Sequence, residues 1–191
     1  MGRQQSFDTD AVVRAARTLF WEHGYEGASV PDLERATGLN RSSIYHAFGS
    51  KRGLFDAAVE SYLDEVVRPR LRGLRADEVA PEAILTYLTG LRQALGSGIA
   101  AAHGCLLVNA AGAPIAHDPA VAETVAAYRG ELREAFARGV AARRDTATSA
   151  GPDTDTLAEA CTALVLSAFA ITRVDNAAAL RTVDAALRLV A

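Results

Sequence analysis

Between Arg35 and Arg52 the chain carries four cationic side chains, Arg35, Arg41, Lys51 and Arg52, and no Asp or Glu. Residues 1–67 as a whole hold seven basic and ten acidic side chains, so this is a local positive patch inside an acidic unit. Asn40, Ser42, Ser43, Tyr45 and His46 lie within the same run and add hydrogen-bonding groups. Cations neutralise phosphates, and polar side chains at the start of a helix reach base edges. Elsewhere the reactive groups are sparse: His23, His46, His103, His117, Cys105 and Cys161 show no metal-ligand spacing. His103, Cys105, His117 and Asp118 could form a nucleophile–base set, but no phosphate loop or nucleophile elbow accompanies them.

Chemistry of this kind needs a helix that presents the polar run. Leu33 to Phe48 has the proportions of a helix-turn-helix, a short helix, a tight turn at Gly38, and a second helix. Leu33, Ala36, Leu39 and Ile44 are the expected apolar pins, with Ala36 small at the crossing. Asn40 is the expected N-cap of the second helix, whose outer face holds Asn40, Arg41, Ser42, Tyr45 and His46.

A first helix is expected over Asp8–His23, with Asp8 as N-cap, apolar rows at i+4 spacing, and Gly24 as its stop. Ser29 and Asp32 form a capping-box pattern around Pro31. Ser50 caps a fourth helix reaching about Val67, with Pro69 marking its end or a kink. Further helices are expected over Pro81–Leu95, His103–Ala111, Pro119–Arg144, Asp155–Val174 and Asn176–Val190, with a loop over Asp145–Pro152.

The penultimate helix is apolar nearly all round between Ala160 and Ile171 and needs cover on more than one side. A second subunit would supply it through a four-helix bundle built on the last two helices. The alternative is a central helix within one subunit. The same apolar stretch, interrupted by Thr162 and Ser167, reads as too short to span a bilayer. No secretory signal is visible in Met1–Asp10, and two cysteines make no disulfide framework, so a cytoplasmic address is expected.

From Phe7 to about Val67 the chain resembles the DNA-binding domain of the TetR family. The residues that carry the resemblance are Ala15-Ala16-Arg17-Thr18-Leu19-Phe20, Gly24-Tyr25, Ser29-Val30-Pro31-Asp32-Leu33 and Ala36-Thr37-Gly38-Leu39. The most specific run is Ile44-Tyr45-His46-Ala47-Phe48-Gly49-Ser50-Lys51. Beyond it, only Gly104-Cys105-Leu106-Leu107-Val108-Asn109 and the helix count are similar. The resemblance implies that Arg41, Ser42 and Tyr45 meet bases or adjacent phosphates. It places Lys51, the chain's only lysine, where a fourth-helix lysine grips phosphate. A helix N-terminus already favours an anion there. Ser29, Ser43, Asn40 and His46 complete the expected DNA-binding set, and Arg41 is the candidate for bidentate guanine readout.

The expectation is therefore an all-α protein with a three-helix helix-turn-helix domain at 1–50, a connecting helix at 51–72, and an effector-binding and dimerisation domain at 73–191. It would act as a homodimer on double-stranded operator DNA, as a repressor released by a small molecule, with no cofactor, metal, membrane or catalysis. The acids of residues 1–67 are expected to face away from DNA. Tyr87, Leu91, Leu106, Asn109, Tyr128, Phe136 and Phe169 are possible pocket lining, but no effector site is assigned. Alternatives are a redox- or electrophile-sensing repressor built on Cys105, a small helical enzyme using His103 and Cys105, and a helical adaptor without DNA binding.

Overall fold

In the computed structural model, which describes residues 7–144 and 152–191, the regular structure among the described residues is entirely helical. It divides into two compact units, one ending at Val66 and one beginning at Val67.

The first unit is built from α1 (Thr9–Gly27), α2 (Val30–Thr37), α3 (Arg41–Phe48) and α4 (Lys51–Tyr62). Each helix starts where a short polar side chain satisfies free N–H groups. Asp8 accepts from Asp10 and Ala11, Asn40 from Ser43, and Ser50 from Gly53. Ser29 and Asp32 close a full capping box. An aromatic cluster holds α1 to α4: Phe20 meets Phe55 edge-on at 5.2 Å, and Trp21 meets Tyr62 at 4.9 Å. Arg17 binds Glu65 at 2.8 Å and the Ser61 hydroxyl at 2.9 Å across the same pair. Because Leu54, Phe55, Ala58, Val59 and Tyr62 are buried, residues 51–66 pack as part of this unit rather than standing apart as a connector.

Local details depart from the sequence reading for steric reasons. Gly24 takes φ 73° and breaks α1, but a last turn resumes through Gly27. Beyond Tyr62 the helix widens into a π turn over Leu63–Val67 before α5 (Arg68–Leu71) and a 3-10 turn, Arg72–Arg75. Pro69 explains the widening, since its ring cannot pack against the carbonyl four residues back. Ala36, expected at the helix crossing, is exposed, and Leu33 and Ile44 alone are fully buried pins.

The second unit continues through α6 (Ala83–Gly96), α7 (Ile99–His103), α8 (Leu106–Ala111), α9 (Pro119–Arg144), α10 (Thr154–Ile171) and α11 (Asn176–Leu189). Its core includes Leu88, Leu95, Leu132, Phe136, Val165 and Val183, contributed by α6, α9, α10 and α11. A 3-10 turn over Pro114–His117, absent from the sequence reading, leads into α9. The loop expected over Asp145–Pro152 lies outside the described residues except for Pro152. The segments Ile99–His117 and Thr154–Ile171 are long and apolar enough to cross a membrane, which corrects the expectation for α10. Yet the first is broken into short helices, and α10 packs its Cys161, Val165 and Phe169 face into the bundle.

The single helix expected over His103–Ala111 is two helices, broken at Gly104 and Cys105. Gly104 sits at φ +69°, and a Cβ there would lie 2.6 Å from the Phe169 carbonyl oxygen. Gly104→Ala should therefore destabilise the protein by about 2 kcal/mol, through strain and a forced α8–α10 separation. An unchanged thermal unfolding midpoint would contradict this packing.

Candidate nucleic-acid interface

The interface is centred on α3. Ile44, 1% exposed, fixes the helix to the core. The 3.6-residue period then turns Arg41, Ser42 and His46 outward, all exposed, with Ser43 and Tyr45 half-buried beside them. The unit thus gathers every α3 residue of the expected DNA-binding set on one short helix.

The Arg41 guanidinium lies over the Tyr45 ring at 5.1 Å. This i,i+4 stacking holds a long side chain along the helix surface and limits the rotamers it must lose on contact with a base. Asn40 uses its carboxamide oxygen on the Ser43 N–H at 2.8 Å, leaving its NH2 group as the end that faces outward partners. The α3 N-terminus has a second cap unseen in the sequence: Glu34 accepts from the Arg41 N–H at 2.5 Å. An acidic side chain therefore stands at the start of α3, and the expectation that all acids face away from this surface does not hold. Its position is explained by the free N–H groups of a helix start.

Ser29 differs from the rest of the set. Its hydroxyl accepts from the Asp32 N–H at 3.2 Å and also binds the Asp32 carboxylate. The Ser29 bond, aided by Arg35, holds the Asp32 carboxyl below its usual range. A hydroxyl bound to a permanent anion is a poor partner for a second anion, so Ser29 serves as a helix cap here.

Lys51 is half-buried at the start of α4, with Nζ 4.5 Å from the centre of the Tyr25 ring. Burial lowers its pKa, and Glu26 opposes the shift. The ring replaces part of the lost hydration of the ammonium. Tyr25 entered the sequence reading only as a neighbour of Gly24. Nothing in a single sequence announces that a residue 26 positions away will sit on its ring.

Several groups of the competing chemical set have partners of other kinds among the described residues. The Cys105 thiol is fully buried and directed at the Tyr128 hydroxyl, 3.6 Å away. His117 Nδ1 lies 3.1 Å from the Pro114 carbonyl. Asp118 caps α9 by accepting from Ala120 and Val121. The Cys161 thiol is pushed up to about 11 by burial, which suppresses its thiolate.

The chain is similar to known regulatory proteins. Residues 12–58 match the family described as "Bacterial regulatory proteins, tetR family". The chain is 36% identical over 161 residues to the HTH-type transcriptional regulator YezE of Bacillus subtilis, covering 81% of this chain and 79% of that one. It is 36% identical over 109 residues to the transcriptional repressor ComR of Escherichia coli, covering 56% and 51% respectively. Among solved structures it resembles a cysteine mutant of the TetR family regulator CifR bound to a 26-bp operator duplex. There the TM-score is 0.77 at 34% identity, covering 97% of this chain and 98% of that one.

Proposed function

The chain belongs to the tetR family of bacterial regulatory proteins, and from that membership we propose how it regulates transcription: α3 enters the major groove of an operator, and a small molecule releases it. It is a DNA-binding transcriptional regulator, and repression is the role that its relatives' names support. The observation that carries the mechanism is the exposed Arg41, Ser42 and His46 face of α3, pinned by Ile44 and followed directly by Lys51. Arg41 reads a base, Ser42, Ser43 and Tyr45 contact bases or phosphates, and Lys51 binds phosphate. His46 and the Asn40 NH2 group lie on the same face. Ser29 is left out because its hydroxyl is committed to Asp32.

A mobility-shift titration with the gene's own upstream region tests the reading. Specific binding should survive competitor DNA and fall steeply with salt. Failure to bind any such fragment at low salt would sink it.

Two copies bind together, their α3 helices one duplex turn apart, about 34–36 Å. Support comes from α10, whose outward face runs through Thr156, Ala160, Ala163, Ser167 and Ala170 without a charge and ends beside Val174, 84% exposed. Leu157, Leu164 and Ile171 flank that face half-exposed, as do Leu180 and Leu187 on α11. A second copy would cover this surface, which a monomer leaves in water. Ser167→Arg should shift the protein toward monomer, read by analytical ultracentrifugation, and weaken operator binding in parallel. A variant that stays dimeric would remove α10 from the interface.

Release follows if an effector favours a DNA-incompetent state by about 1–3 kcal/mol.

A further inference from the structure

Capping alone does not explain the negative charge at the start of α3. Asn40 already caps that helix by accepting from the Ser43 N–H at 2.8 Å. Glu34 reaches over from α2 as a second acceptor, on the Arg41 N–H at 2.5 Å. Its own carbonyl accepts from the Gly38 N–H at 2.9 Å, so the residue is fixed at both ends of the turn. A glutamine amide could accept from the same Arg41 N–H without bringing a charge.

The charge is also unpaired. Asp32, on the same helix, is paired with Arg35, and Asp56 on α4 with Arg52 at 2.7 Å. Glu34, half-buried, has no cationic partner among the described residues. The Arg41 guanidinium, whose own N–H it holds, is stacked on the Tyr45 ring instead. A lone carboxylate thus stands on the surface that Arg41 and Lys51 offer to a polyanion.

We propose that Glu34 is a specificity-determining residue: its unpaired carboxylate at the start of α3 repels phosphate and so weakens binding to duplexes that the α3 face does not match. An ionised carboxylate can only accept hydrogen bonds. Phosphate oxygens donate none, whereas the floor of the major groove offers the amino groups of cytosine and adenine. With α3 seated on base edges, the carboxylate faces a surface that tolerates it. On a mismatched duplex the protein is held by phosphate attraction alone, and an anion among the cations removes part of that attraction. A penalty on wrong partners raises specificity as surely as a new contact to the right one. Salt shortens the reach of this repulsion, so its effect is largest at low ionic strength.

The proposal rests on the placement of α3 in the groove proposed above. Fluorescence anisotropy titrations of the full chain should use its own upstream duplex and a scrambled duplex of the same composition, at several salt concentrations. Glu34→Gln keeps the acceptor and removes the charge. It should bind the scrambled duplex about fivefold more tightly and change the upstream duplex less than twofold, with the gain shrinking as salt rises. Glu34→Asp keeps the charge on a shorter arm and should retain most of the parent's preference, whatever its unfolding midpoint. A residue that only capped α3 would, when replaced, weaken both duplexes alike. That result, equal tightening of both, or no change in Glu34→Gln would overturn the assignment. A parent protein with no preference for the upstream duplex would remove the groove reading itself. A preference that survives intact in Glu34→Gln removes only the role of Glu34.

Discussion

Replacing Arg41 by Ala should cost about 10- to 100-fold in affinity for the cognate operator and leave non-specific binding nearly unchanged. Bidentate guanidinium–guanine contacts supply roughly 1–3 kcal/mol of discrimination, and none of that is recovered by phosphate contacts elsewhere. The side chain is exposed, so its loss should not disturb folding. Only its own ring stacking on Tyr45 disappears. Lys51→Ala should behave differently. An ammonium on phosphate carries no sequence information, so every duplex should bind more weakly by a similar factor. The slope of log affinity against log salt should fall by about one unit. Paired titrations of cognate and scrambled duplexes at several salt concentrations separate the two effects. If Arg41→Ala and Lys51→Ala both weakened all duplexes alike, the division between base reading and phosphate holding would be wrong.

Gly53→Ala should be the most damaging single methyl in the protein. A Cβ at Gly53 would lie 2.0 Å from the Phe48 carbonyl oxygen and 3.1 Å from its carbon. That carbonyl belongs to the last residue of α3, and neither neighbour is free to give way. Gly49 N–H is bonded to the Tyr45 carbonyl at 2.9 Å, and Gly53 N–H to the Ser50 hydroxyl at 3.0 Å. Accommodation must move α3 relative to α4 or unwind the first turn of α4, which carries Lys51. We expect a loss of about 3 kcal/mol, at the upper end for overpacking, with operator affinity falling alongside. Gly130→Ala is the control. It lies in α9 with nothing within 4 Å of the added Cβ, so it should gain up to about 1 kcal/mol of helix propensity. Thermal unfolding of both variants, followed by circular dichroism, makes the comparison. Indistinguishable midpoints would mean that α3 and α4 do not approach as described.

These two residues mark different depths of legibility. The exposed place of Arg41 on α3 was readable because it depends on neighbours a few positions away: Asn40 to start the helix, Ile44 to bury one side, and Gly38 to turn the chain. Gly53 was not, because a glycine inside a helical pattern looks like a mild defect until the backbone it must clear is known. The Gly104 break is the same kind of case, since Phe169 lies 65 residues away. Ala36 failed in the opposite sense: a small residue at a plausible crossing proved exposed, because Leu33 and Ile44 suffice to lock the pair.

The amino-acid order alone set the helix starts of the first unit, the polar run on α3 and the apolar surface of α10. Those features rest on contacts spanning one helical turn, where a cap or a repeat is written in adjacent residues. Tertiary packing decided that Tyr25 lies beneath Lys51, that Glu34 caps α3, and that the Tyr87 ring packs edge-on against Phe136. Each of these needs two segments brought within a few ångströms by the burial of other side chains, and no local pattern records which segments those are.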